Sequence, residues 1–222
     1  VAFASDQERF AAIRQKLYTP VISDTLDSLG FRRQAMRHDL RPLHPDFVLV
    51  GRARTLLWMN TCEPVRPNPY VNEIRIIDSL RPGDVSVHST DYSWTIAPWG
   101  ELLSTASRMR GSTGTVVDGL VRDVKRIVAL GFPTFARGIR PLDSCGRGFV
   151  ADVDVPILCG EVAVRPGELV FGDYDGIVVI PREAEDEVLA RALAKVEGED
   201  HTRNELLQGR LLGEVYEKYG VL

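Results

Sequence analysis

The stretch GTVVDGLVRDVKRIVALGFPTFA, residues 114–136, constrains this chain more than any other. Thr115–Val117 is a short apolar run, Pro133–Ala136 is another, and the residues from Arg122 to Leu130 between them read as a helix. Two strands joined through a helix cannot form a hairpin. They lie parallel and are linked by a right-handed crossover. A parallel pair needs helices against the sheet, so the chain is expected to be α/β.

The flanking sequence extends this pattern. Phe10, Ile13 and Leu17 recur at helical spacing over residues 5–18, with Ser5 or Asp6 as the cap. A second helix is expected from Thr19-Pro20 to Gly30, because proline suits a first helical turn. Residues 31–46 read as loop and 47–59 (FVLVGRARTLLWM) as a strand. After a Pro/Asn-rich connection, a helix ends near Leu80 and a strand covers VSVHS, residues 85–89. A helix over 100–110 carries Leu102, Leu103, Ala106 and Met109 on one side and stops at Gly111. Short β runs follow residue 148, and a charged helical tail begins at Glu183. Arg-Pro-Gly followed by an acid occurs at 81–84 and 165–168, which predicts two similar turns before strands.

Charge and cysteine content narrow the function classes. A net charge of −4 over 222 residues gives no default surface for nucleic acid. Three widely spaced cysteines, Cys62, Cys145 and Cys159, with no C-x-x-C, predict reduced thiols and no thiolate zinc site. No run approaches the length of about 20 apolar residues that spans a bilayer. The segment VAFASDQERFAAIRQKL shows no signal-peptide pattern, so a cytoplasmic protein with no membrane contact is expected. His38, His44, His88 and His201 lack zincin spacing and are expected on surfaces or loops. Asp173 and Asp175 are expected to form a turn.

Chemistry concentrates at two helix entrances, in WGELLSTASRMRGSTGTVVDGLVRD, residues 99–123. A helix start presents unpaired N–H groups, and Gly100 lets a ligand approach the amides of Leu102 and Leu103. The Glu101 side chain is then free for a proton or a metal-bound water. Arg122 offers a fork of donors, and Asp123 a hard oxygen suited to Mg²⁺ or Mn²⁺. A 2-oxo acid held by such a set has a polarised carbonyl, which favours an enolate. Ordinary capping by Asp123 and dipole compensation by Glu101 explain the same residues equally well. Arg122 is harder to dismiss, since a cation at a helix start needs a nearby anion, supplied by a ligand, by Asp123 or by Asp118.

Gly-Glu-Leu-Leu, twenty residues between Glu101 and Arg122, and Arg-Asp within VVDGLVRD resemble one signature. It is that of the family containing 4-hydroxy-4-methyl-2-oxoglutarate and 4-carboxy-4-hydroxy-2-oxoadipate aldolases and the regulator of ribonuclease activity A. PVISDTLD (20–27), RPGDVSV (81–87) and PGELVFGDYDGIVVIP (166–181) extend the resemblance over nearly the whole chain.

The resemblance implies a swivelling β/β/α sandwich with N-terminal helices, assembled as a homotrimer or homohexamer. It implies one catalytic domain over residues 1–182 and a helical extension, 183–222, that packs on a neighbouring subunit. The implied activity is a class II pyruvate aldolase that cleaves a 4-hydroxy-2-oxo acid and also decarboxylates oxaloacetate. In these roles Asp123 holds Mg²⁺ (or Mn²⁺), Arg122 stabilises the enolate, and Glu101 organises metal waters and proton transfer. Gly100 and the amides of Leu102 and Leu103 receive the substrate carboxylate, and Glu199 of the extension joins the metal's outer shell, with Glu197 and Asp200 as rivals. The family's aldolases carry Asp where this chain has Glu101. The alternative is a non-catalytic, protein-binding regulator of the ribonuclease-inhibitor type; the acidic extension favours the enzyme, since regulator-type chains are shorter.

Overall fold

A computed structural model of the chain describes Phe3 and residues 5–62 and 67–220. Two helices open it. In α1 (Asp6–Lys16) the Ser5 hydroxyl accepts the Glu8 N–H, the cap expected for this entrance. For α2 (Thr19–Ser28) the cap comes from far along the chain: Asp173 accepts both the Thr19 N–H (2.8 Å) and the Thr19 hydroxyl (2.6 Å). Asp173 also accepts the Asp175 N–H, so its expected turn is present and performs a second task.

The strands are β1 (Arg41–Pro42), β2 (Leu49–Asn60), β3 (Asp84–Ser89), β4 (Gly114–Val121) and β5 (Thr134–Ile139), followed by β6 (Gly148–Val153), β7 (Ile157–Cys159), β8 (Val162–Val164), β9 (Leu169–Asp173) and β10 (Gly176–Ile180). The main sheet runs β1-β5-β4-β3-β2-β9-β10, with β6 also paired to β2. Its centre, β2 through β5, is parallel. Helices α3 (Val71–Asp78), α4 (Glu101–Met109) and α5 (Val124–Leu130) make the crossovers. The hairpin β7–β8 stands apart, and α6 (Glu185–Leu207) and α7 (Leu212–Tyr219) close the described chain. This is the mixed α/β fold expected.

Burial divides into three clusters. Phe135, Val116, Val87 and Ala53 pack with the β7–β8 hairpin. Phe10, Ile13, Ile22 and Phe171 pack with Val188, Leu189 and Ala192 of α6, so the extension begins as part of its own chain's core. Trp58, Trp99, Phe132 and Ile127 fill the side under α3 and α5. No helix among the described residues is long and apolar enough to cross a membrane.

Three local expectations need correction. Strand β4 runs eight residues and does not end at Val117, since the ladder absorbs Asp118-Gly119 through a register shift before Leu120. Gly119 is required there because a Cβ would meet the Thr90 hydroxyl at 2.5 Å. His88 is fully buried and accepts the Trp58 indole N–H at 3.1 Å, with burial pushing the imidazole down to about 3. The apolar side read along α4 is half used: Leu103 and Ala106 pack against the third cluster, whereas Leu102 is 78% and Met109 79% exposed. Its buried face is Ser104 and Ser107, with the Ser104 hydroxyl satisfied by Trp99 and Gly100. The Arg-Pro-Gly-acid turns do match: Asp84 accepts the Arg81 N–H and Glu168 the Arg165 N–H, each at 2.8 Å.

Candidate active site

The end of β4 brings the two helix entrances together. Trp99 forms a parallel bridge with Val121, and its carbonyl accepts the Arg122 N–H at 2.9 Å. Gly100 is thereby laid beside Arg122 and Asp123. The approach leaves no space for a side chain: a Cβ on Gly100 would stand 2.7 Å from Asp123 Oδ2 and 3.3 Å from Arg122 Cγ.

Asp123 serves both helices at once. Its backbone, left-handed at φ 60°, starts α5, and its carbonyl accepts the Arg126 and Ile127 N–H groups. Its side chain does not cap α5. Oδ2 instead accepts the Glu101 N–H of α4 at 3.2 Å. The helix therefore begins at Val124 and not at Arg122, and Arg122 sits just outside it. The anions beside Arg122 are Asp123 (4.0 Å) and Asp143 (3.8 Å), whereas Asp118 lies with Arg137 and accepts the Gly160 N–H.

A cavity of about 440 Å³ opens at this junction, a size suited to a small molecule. Gly100, Leu102, Leu103, Arg122 and Asp123 form one wall. Tyr70, Glu73, Asp143 and Ser144 form the facing one. Among the described residues, the N–H groups of Leu102 and Leu103 have no protein acceptor, as the second and third amides of a helix should.

The cavity thus gathers five of the seven residues expected from the sequence. Glu101 contributes its backbone N–H, but its carboxylate accepts the Thr105 hydroxyl (2.9 Å) and does not line the cavity. Glu199 lies on α6, where it accepts the Tyr18 hydroxyl and stands 3.9 Å from Lys195, beside a separate cavity.

Three residues of the facing wall carry no helical or motif signal strong enough to find from sequence. Tyr70 donates to Asp143 at 2.7 Å. Burial pushes the Asp143 carboxyl up, but Tyr70, the Cys145 N–H and Arg122 outweigh it and hold it below the usual carboxylate range. Glu73 is only 3% exposed, and its Oε1 has no hydrogen-bond partner among the described residues. Burial first, then the Asp143 charge, push its carboxyl up to about 8, against an opposing pull from Arg122. Its signal was a lone Glu on the Ile-rich face of α3, where it passes for dipole compensation.

No group of three His, Cys, Asp or Glu capable of holding a metal occurs among the described residues. Mg²⁺ keeps several waters and is commonly bound through one or two carboxylates plus substrate. Asp123 meets that requirement: its side chain is 45% exposed, and a hydrogen bond engages only one of its oxygens. The residues present fit such an ion.

Fold and site together define an α/β protein with a central parallel sheet and a cavity bounded by free helix amides and charged side chains. The chain belongs to the RraA-like family, described as Aldolase/RraA, whose profile matches residues 19–179. A relative in Halalkalibacterium halodurans, named "Putative 4-hydroxy-4-methyl-2-oxoglutarate aldolase", is 33% identical over 194 residues, covering 87% of this chain and 86% of that protein. The structure of Streptomyces coelicolor RraAS2, described as an unusual member of the RNase ES inhibitor RraA protein family, superposes with a TM-score of 0.81 at 29% identity, over 90% of this chain and 98% of that one. An uncharacterized Pseudomonas syringae protein superposes at 0.84 with 26% identity, over 99% of both chains. Relatives thus carry an aldolase name and an inhibitor name. The length of the extension does not separate the two, since RraAS2 covers nine-tenths of this chain.

Proposed function

We propose that this protein is a divalent-metal-dependent lyase that cleaves a 4-hydroxy-2-oxo acid to pyruvate and a carbonyl product, with oxaloacetate decarboxylation as a second reaction. The observation that carries the reading is the convergence on one cavity of free Leu102 and Leu103 amides, the Arg122 guanidinium and the Asp123 carboxylate.

Each group has a distinct task. The amides at the start of α4 bind the substrate carboxylate, helped by the helix dipole. Gly100 keeps the approach to them open. Arg122 donates to the 2-oxo oxygen and stabilises the negative charge that develops there when the C3–C4 bond breaks. Asp123 holds Mg²⁺ or Mn²⁺, which supplies Lewis-acid polarisation of the 2-oxo group when bound. Glu101 donates its backbone N–H to Asp123 and so holds that carboxylate in place. In a homotrimer or homohexamer that lays α6 of one copy across the cavity of another, Glu199 would help hold the ion. Aldol cleavage and decarboxylation of oxaloacetate share the pyruvate enolate, which is why one site serves both.

Pyruvate release from oxaloacetate and from 4-hydroxy-4-methyl-2-oxoglutarate, with and without EDTA, tests the reading. Release that stops with chelator and returns with Mg²⁺ supports it. Rates equal to the uncatalysed background with either metal overturn it in favour of a protein-binding regulator.

A further inference from the structure

The carboxyls around the cavity are not equivalent. Asp123 is engaged by the Glu101 N–H, and Asp143 by the Tyr70 hydroxyl and the Cys145 N–H. Glu101 is tied to Thr105 within its own helix. Glu73 differs from all three. Helix α3 carries it inward next to the buried pair Ile76 and Ile77, it lines the same cavity as Arg122, and its Oε1 is buried without a partner among the described residues. An ionised carboxylate left in that state is costly, so such a group persists as the neutral acid, a donor with no acceptor among the described residues.

We propose that Glu73 is the acid that delivers a proton to C3 of the pyruvate enolate. This rests on the lyase reading given above. In the cleavage direction the proton of the 4-hydroxyl leaves to solvent, C4 becomes a carbonyl, and the C3–C4 electron pair passes into the enolate. The enolate then forms its C3–H bond with the Glu73 proton, giving the pyruvate methyl group and a Glu73 carboxylate. Water returns a proton to Glu73, so one proton is released and one taken up per turnover. The elevated affinity of Glu73 for its proton keeps it protonated between turnovers at neutral pH. The groups that tune it are Asp143, which favours the protonated form, and Arg122, which opposes it.

The test uses pyruvate alone in D₂O with Mg²⁺, following loss of the methyl proton signal by NMR, for wild type and Glu73→Gln. Glutamine matches the neutral acid in shape but has no transferable proton. Exchange is expected to fall by about 100-fold or more in Glu73→Gln. The affinity for oxalate, a mimic of the enolate carboxylate, should change by less than about threefold, roughly the scatter expected when no contact is lost. Glu73→Asp should recover part of the exchange. Exchange in Glu73→Gln within tenfold of wild type overturns the proposal while leaving the lyase reading intact. Parallel loss of exchange and oxalate affinity also overturns it, since that marks a structural role. Wild-type protein that exchanges no methyl protons and releases no pyruvate from oxaloacetate removes the lyase reading and this proposal with it.

Discussion

The Asp123 carboxylate accepts the main-chain N–H of Glu101 at 3.2 Å, so the residue that starts α5 also caps α4. One side chain therefore connects the two helix entrances. Its removal is expected to act on stability and on chemistry through separable causes.

Asp123→Asn keeps an acceptor oxygen and tolerates the left-handed backbone, but removes the charge. It should unfold within about 1 kcal/mol of wild type while losing chelator-sensitive pyruvate release. Asp123→Ala loses the cap as well and places a Cβ-bearing apolar residue at φ 60°, costing about 2 kcal/mol in total. Urea unfolding and pyruvate release on the two variants separate the effects; an Asn variant with full metal-dependent activity excludes the metal role.

Gly100→Ala isolates steric access. The backbone at residue 100 is extended (φ −151°), a conformation alanine adopts freely, so the substitution carries no dihedral strain. Its methyl group would contact Asp123 Oδ2 at 2.7 Å and must displace it. A displacement on the order of 1 Å costs about 100-fold in turnover. The expected result is a near-normal melting temperature with kcat reduced by that order.

Arg122→Lys keeps the charge but not the planar fork. With one directed donor to the developing oxyanion lost, kcat should fall by about 100-fold, while unfolding stability stays within about 0.5 kcal/mol because the side chain is surface-accessible. Steady-state kinetics with oxaloacetate gives the answer directly.

Two buried groups set opposite pH slopes on stability. Glu73 moves from an ordinary 4.5 to about 8, so the stability it contributes is fully present below 4.5 and is lost as pH rises through about 8. His88 moves from 6.5 to about 3, so its contribution is fully present above 6.5 and is lost as pH falls toward about 3. Each slope is at most about 1.4 kcal/mol per pH unit. Between 4.5 and 6.5 they offset one another, giving a plateau with falling stability on either side. Chemical denaturation from pH 4 to 9 should show it, and Glu73→Gln should flatten the alkaline limb and turn the plateau between 4.5 and 6.5 into a rise with pH.

The parallel centre of the sheet was legible because βαβ spacing admits few topologies, and the cavity's first wall because it lies within one short motif. The second wall was not. Tyr70, Glu73 and Asp143 are separated from residues 99–123 in sequence and meet them through tertiary packing, including that of α3 against α4 and β6. The apolar run in the sequence ends at Val117, yet the strand continues through Gly119, which serves a close approach to Thr90. The buried face of α4 was misread because it is built from the serines Ser104 and Ser107, which hydrophobic periodicity does not register.

Trp99 is fully buried, donates its indole N–H to Ser104 and directly precedes Gly100, with the His88 ring 5.0 Å away. Any molecule fastened to the amides just beyond it perturbs the surroundings of that indole. Ligand occupancy is therefore expected to register in the protein's own tryptophan emission, without label or coupled assay, even in variants too slow to turn over.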